Sequence, residues 1–271
     1  MKKILLIILV LFAVVSPSIC YAEGTHQPAL SLEELTIQVM PEFAYHPNDQ
    51  EKDHAPLLIG YHGSMINNSE QPQIGQIEIP LPMNDPGFRI GYIADYSADL
   101  KQVYEIEYAV DKDRGTISWT TSEEISPKER YKFVVEYYTD SLKVDGAKKS
   151  LAYQFKSFVD IGLVNVNFLQ PNKAKDMKLS PKPEEQSHGD GKDTYAYHFQ
   201  DVKAGDQKSF KLTYQRSEKK TTIELLSIEK NVEEKSDKKI NYLAVGTFGG
   251  VSLVSVGALS LLIRRNRKQA R

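Results

Sequence analysis

Three histidines, His46, His54 and His62, recur at intervals of eight in AYHPNDQEKDHAPLLIGYHG, with Asp49, Glu51 and Asp53 between them. Imidazole and carboxylate together make the donor set of many divalent metal sites. On an extended chain a spacing of eight covers about 26 Å, so only a reversal between Pro47 and Pro56 would gather the rings. The spacing matches neither HxxxH nor HExxH, and it favours three separate turn or surface histidines over a metal site. His188 and His198 read as a loop residue and an outward strand residue.

Other residue types lead to no reaction. Ser64 in YHGSM is flanked by one glycine, not two, so it is no GxSxG nucleophile elbow. DKDRG and HGDGKD begin like calcium loops but lack the glycine at the sixth position and the glutamate at the twelfth, and hairpin turns explain them better. Tyr92, Tyr96, Tyr137 and Tyr138 could form a platform for a sugar or a protein, although tyrosine suits strands without further cause. Tyr138 falls on the face opposite Phe133, Val135 and Tyr137 and is expected to be exposed. With no catalytic constellation and no cofactor motif, the chain is expected to be non-enzymatic, with no cofactor.

The chain ends fix the compartment in which these side chains would act. Lys2 and Lys3 precede an apolar run from Ile4 to Val15, and Cys20-Tyr21-Ala22 supplies small residues at the first and third positions before a cut after Ala22. Ile19 before Cys20 disfavours a lipoprotein signal, and Cys20 is the one cysteine, so the exported part holds no disulfide and no thiolate ligand. Setting aside Lys2, Lys3, Arg264, Arg265, Arg267, Lys268 and Arg271 leaves 27 of the 34 basic residues against all 36 acidic ones, a balance of −9. So acidic a body is a poor partner for nucleic acid.

Strand signals position everything between. Apolar residues alternate in QVYEIEYAV (Tyr104, Ile106, Tyr108, Val110), VNVNF (Val164, Val166, Phe168), TYAYHF (Tyr195, Tyr197, Phe199) and SFKLTYQ (Phe210, Leu212, Tyr214). Candidate strands cover 35–43, 56–67, 74–81, 88–96, 102–110, 116–121, 131–139, 150–159, 162–169, 175–179, 194–202, 208–216 and 221–226. SLEE at Ser31 to Glu34 fits a capping box, although LTIQVM after it alternates as a strand. The fold class expected is all-β: two tandem antiparallel β-sandwich domains of immunoglobulin or fibronectin kind, with one C-terminal transmembrane helix. A boundary near the hydrophilic VDGAKKS gives a signal peptide at 1–22, a first sandwich at 23–148 and a second, smaller one at 149–228. A charged stalk at 229–239, a transmembrane helix at 240–263 and a basic cytoplasmic tail at 264–271 complete the order.

Residues 240–263 carry no charge, and as a helix they would reach about 36 Å, enough to cross a hydrocarbon core of about 30 Å. No sortase sorting motif precedes them, and the positive charges of RRNRKQAR hold the end in the cytoplasm. Gly246 and Gly250 form GxxxG with Gly257 near the same face, a candidate for helix pairing and so for a dimer. The KK start, the signal, GYHGSMINNSEQPQIGQIEIPLP and the basic tail together resemble the layout of single-pass, membrane-anchored surface proteins of Bacillus-type Gram-positive bacteria. That resemblance implies an ectodomain outside the cell and carries over no catalytic or ligand residue. The expected function is the presentation of an acidic surface to a membrane or envelope protein, with the lipid bilayer engaged through the C-terminal helix. The alternative is a module binding metal or carbohydrate through His46, His54, His62 or exposed tyrosines.

Overall fold

The computed structural model describes residues 28–49, 54–97, 99–189 and 192–228. The segments read as signal peptide, stalk, membrane helix and basic tail lie outside these residues, as do Gly246, Gly250 and Gly257. Among the described residues no helix is long and apolar enough to cross a membrane.

The described chain is mostly β-sheet, as its alternating patterns require, with one short helix, α1, at 222–228. The largest sheet has eight strands. In spatial order they are β13 (Glu185–Gly189), β14 (Lys192–Val202), β11 (Ile161–Leu169), β1 (Leu30–Pro41), β2 (Leu57–Asn67), β8 (Arg130–Thr139), β4 (Arg89–Tyr96) and β5 (Val103–Glu105). A four-stranded sheet runs β12 (Lys175–Ser180), β15 (Gln207–Gln215), β10 (Lys148–Lys156), β9 (Lys143–Asp145). A three-stranded sheet runs β3 (Gln76–Pro80), β7 (Thr116–Thr120), β6 (Ala109–Asp111).

The two small sheets cover one face of the large one. Val164, Val166 and Phe168 are fully buried on β11, Leu35, Ile37 and Val39 on β1, and Phe210, Leu212 and Tyr214 face them from β15. Ring contacts stitch the layers: Tyr197 to Phe210 at 4.8 Å, Phe168 to Phe210 at 5.3 Å and Trp119 to Phe133 at 5.4 Å between centroids. One apolar cluster runs through all three sheets.

This arrangement corrects the expected pair of tandem sandwiches. β1 pairs in parallel with β11, matching Leu35 to Val164, Ile37 to Val166 and Val39 to Phe168, so strands from both sides of residue 148 share one sheet. The boundary falls inside the β9–β10 hairpin, where Gly146 takes the left-handed conformation at φ 57°. Alternation tells which face of a strand is apolar but not which other face it meets, and β11 meets β1 because both bury an unbroken row of apolar side chains.

SLEE starts no helix despite its capping-box pattern: Leu30 to Pro41 is strand, as the alternation after it favours, with Glu34 facing Ser64 across the β1–β2 ladder. One local expectation is also corrected. QVYEIEYAV is not one strand: β5 ends at Glu105, Ile106 N donates to Ile93 O at 3.1 Å, and β6 joins another sheet. The chain changes layers there, leaving Tyr108 and Val110 41% and 43% exposed.

Candidate functional site

The core-facing register of β4 produces an anomaly at its end. Ile93 points into the core, and Asp95, two residues on, occupies the same face and is 1% exposed. A lone carboxylate so buried needs donors. Oδ2 has two, accepting from the Tyr131 hydroxyl at 3.0 Å and from Ser122 N at 2.9 Å. Tyr131 in turn accepts from Trp119 Nε1 at 2.8 Å, so indole, phenol and carboxylate form one chain. Burial, tempered by the Trp119 hydrogen bond, holds the Tyr131 phenol well above its ordinary value, so it remains a donor.

Oδ1 of Asp95 is buried and has no hydrogen-bond partner among the described residues. Asp95 lines a cleft of about 20 Å³ together with Tyr96, Ser122, Glu123, Glu124, Ile125, Glu129, Arg130 and Tyr131. That volume holds one water or one ammonium group. Four carboxylates line it against one guanidinium, and Arg130 already pairs with Glu33 at 2.7 Å. Glu129 accepts from Ser126 N at 2.8 Å and Glu123 from Tyr104 at 3.3 Å, which fixes the rim. The arrangement offers a buried acceptor inside a negative mouth, suited to a cationic donor.

The histidines do not gather. His46 Nε2 is 3.0 Å from Ile90 O, and its ring meets Tyr138 edge-on at 5.3 Å. His54 Nδ1 is 3.2 Å from its neighbour's carbonyl, Ala55 O. His62 is within β2, 8% exposed, with neither ring nitrogen hydrogen-bonded among the described residues. Among the described residues no group of three or more His, Cys, Asp or Glu is placed to hold a metal ion. The tyrosines do not make a platform either. Tyr137 faces the core, and Tyr138, expected to be exposed, is 0% exposed, covered by Met40, Phe43, Ala44 and Leu58 on the sheet's other face. His188 is exposed beside Asp193, and His198 is exposed with Nδ1 2.7 Å from Asn165 Oδ1, as an outward strand residue should be.

That other face carries a second buried polar group. Glu136, 2% exposed, stands across the ladder from Gly60 on β2 and Tyr92 on β4, and Gln38, 8% exposed, stands across from Gly60 on β1. The His62 ring folds back over the space that Gly60 leaves, its Nε2 3.4 Å from where a Cβ at Gly60 would be. Burial drives the two groups in opposite directions: His62 down to about 4 and Glu136 up to about 7.

Comparison with known proteins adds little to this geometry. No family model matches the chain, and no curated protein matches it. Among solved structures, an M1 zinc metallopeptidase from Deinococcus radiodurans in a variant form superposes with TM-score 0.41 and 10% identity over 70% of this chain. The unmodified enzyme gives TM-score 0.39 at 10% identity, and a two-domain variant bound to L-arginine gives 0.38 at 12%. This chain spans 43% of the length of those proteins. The expectation of a non-enzymatic protein is withdrawn on this finding, since the structures it resembles are enzymes. Likeness at this level assigns the chain neither a reaction nor a metal.

Proposed function

We propose that the chain is a membrane-anchored extracytoplasmic β-sheet protein that receives a basic group of a membrane or envelope partner in the cleft at Asp95. The observation that supports this reading is the buried Oδ1 of Asp95, without a hydrogen-bond partner among the described residues, on a residue that lines a cleft with Glu123, Glu124 and Glu129. Leaving such an atom without a donor costs about 1–3 kcal/mol or more, a cost relieved when a partner's ammonium enters. The acidic balance of the exported part would steer a basic partner toward this mouth.

The cleft and the end of the described chain are on opposite ends of the large sheet. Arg130 opens β8 beside the cleft, whereas Thr139 closes it beside Leu57 and the Glu42 corner against which α1 packs. Nine residue steps at about 3.3 Å separate them by about 30 Å. With residues 240–263 as an anchor following α1, the cleft is held away from the bilayer, where a partner can reach it.

The test is a photo-crosslinking side chain at position 124 of the full chain in intact cells. A discrete adduct that disappears with Asp95→Asn supports the proposal. An adduct indifferent to Asp95→Asn contradicts it, because asparagine keeps an acceptor oxygen for Tyr131 and Ser122 and puts an uncharged amide nitrogen in place of the unpartnered oxygen. Protease added to intact cells should also degrade residues 23–239, and their protection would overturn the outward orientation.

A further inference from the structure

The outward face of the four-stranded sheet has the opposite charge to the rest of the exported part. Register places Lys143 across from Ser150, Ser150 across from Thr213 and Thr213 across from Lys178, so one row reads Lys, Ser, Thr, Lys over all four strands. The next row on the same face is Asp145, Lys148, Gln215, Lys175. Lys143, Lys148 and Lys178 are exposed, and none is in an ion pair among the described residues. Two acidic residues line this face, Asp145 in the second row and Asp176, which accepts from Gln215 Nε2 at 3.1 Å, while Lys149 is turned to Gly146 O at 2.6 Å. Residues of both rows line a groove of about 530 Å³, Lys143, Lys148, Lys178, Ser150 and Thr213 among them.

We propose that this groove binds the phosphate headgroup of an anionic lipid in the membrane to which the chain is anchored. The chemistry is that of a phosphate cradle: ammonium groups from three strands above two hydroxyls, Ser150 and Thr213, that form no hydrogen bond among the described residues. Strands are about 4.8 Å apart, so Lys143 and Lys178 flank the hydroxyls by about 14 Å, within which two lysine side chains can close on one phosphate. The source of the phosphate follows from the position of the groove. Arg216, which follows β15, donates its backbone N–H to Ala147 O at 2.8 Å beside the groove, and α1 begins six residues later. Residues 229–239 then span at most about 40 Å before the uncharged run. A basic groove held that close to a bilayer meets lipid headgroups at far higher local concentration than free phosphate. It would also orient a body whose net charge of −9 otherwise repels an anionic surface.

The inference rests on residues 240–263 being the anchor, and the test separates the two. The full chain is incorporated into nanodiscs of phosphatidylcholine alone or with phosphatidylglycerol, and amine labelling of each lysine is read by mass spectrometry. Phosphatidylglycerol should reduce labelling of Lys143, Lys148 and Lys178 by about fivefold, what about 1 kcal/mol per lysine supplies, with exposed Lys128, beside Arg130 at the cleft end of β8, unchanged. Added salt should restore the labelling. Failure to enter either disc refutes the anchor. Entry into both with equal labelling of the three lysines overturns the groove as a lipid site. Protection by inorganic phosphate in phosphatidylcholine discs, without protection by phosphatidylglycerol, overturns the lipid source. A K143Q/K148Q/K178Q variant should enter both discs and lose the salt-sensitive dependence of its orientation, read as the labelling of Lys175 and Lys211, on phosphatidylglycerol.

Discussion

Arg216 Nη1 lies 3.2 Å from a carboxylate oxygen of Glu42, and the two side chains are 1% and 2% exposed. The pair joins the end of β15 to the end of β1 and sits in a network of further hydrogen bonds. Tyr214 donates its hydroxyl to Glu42 at 2.7 Å, and Arg216 Nε and Nη1 donate to the carbonyls of Asn172 and Glu218 at 2.9 and 3.0 Å. Glu42 holds φ 47°, a left-handed conformation, with its carboxylate against Tyr214 and Arg216. Replacing one partner strands the other charge. Glu42→Gln should therefore destabilise the fold by about 3–5 kcal/mol, whereas Glu42→Gln with Arg216→Met should cost less than the sum of the singles. Urea unfolding of the four proteins measures the coupling, and additive losses would show that the pair does not act as a clamp.

The His62 and Glu136 pair predicts a pH dependence that only variants reveal. His62 titrates at about 4 when folded against an ordinary 6.5, so its contribution is lost as pH falls from 6.5 toward 4. Glu136 titrates at about 7 against an ordinary 4.5, so its contribution is present below 4.5 and lost as pH rises toward 7. The slopes oppose each other, each up to about 1.4 kcal/mol per pH unit, and cancel through most of the shared window. Relative to the parent, Glu136→Gln should weaken as pH drops from 6.5 to 4, and His62→Gln should weaken as pH rises from 4.5 to 7. Urea midpoints across that range check both signs. Parallel profiles for all three proteins would refute the opposition.

Gly63 is glycine for want of room. A Cβ built there would stand 2.1 Å from Cζ of Phe133, whose ring covers the β2 backbone across the ladder. Gly63→Ala forces the ring aside into Trp119 and Tyr131, its neighbours at 5.4 and 6.2 Å. The expected cost is about 1–3 kcal/mol, read as a lowered thermal midpoint, and Gly63→Ala with Phe133→Leu should recover part of it. An unchanged midpoint in the single variant would mean that the ring moves freely.

Much of the strand content was legible because burial on one face leaves a period of two. Phe210, Leu212 and Tyr214 are buried as their alternation requires, and so are Val164, Val166 and Phe168. The sheet order was not legible. The β1–β11 pairing joins residues more than a hundred positions apart, and nothing local in LTIQV or VNVNF names the other. The cleft was hidden for the same reason, since β4, the 122–125 turn and β8 each supply a wall. One trace was present: in RIGYIADY, Asp95 occupies the core-facing parity of Ile93, where a charge has no ordinary place. The lysine row was equally silent, because Lys143, Lys148 and Lys178 come from three strands and only register aligns them.

The sole tryptophan reports on the central claim. Trp119 Nε1 reaches Asp95 through the Tyr131 hydroxyl, so a cation on Asp95 Oδ1 must alter the indole N–H resonance. The measurement is a titration of the full chain in detergent micelles, with labelled tryptophan, by a short lysine-containing peptide and by the same peptide with its lysine and amino terminus acetylated. The account predicts a saturable shift with the free peptide that salt weakens, no shift with the acetylated one, and none in Asp95→Asn. Equal shifts from both peptides, or an unmoved indole resonance at saturating lysine peptide, would contradict it.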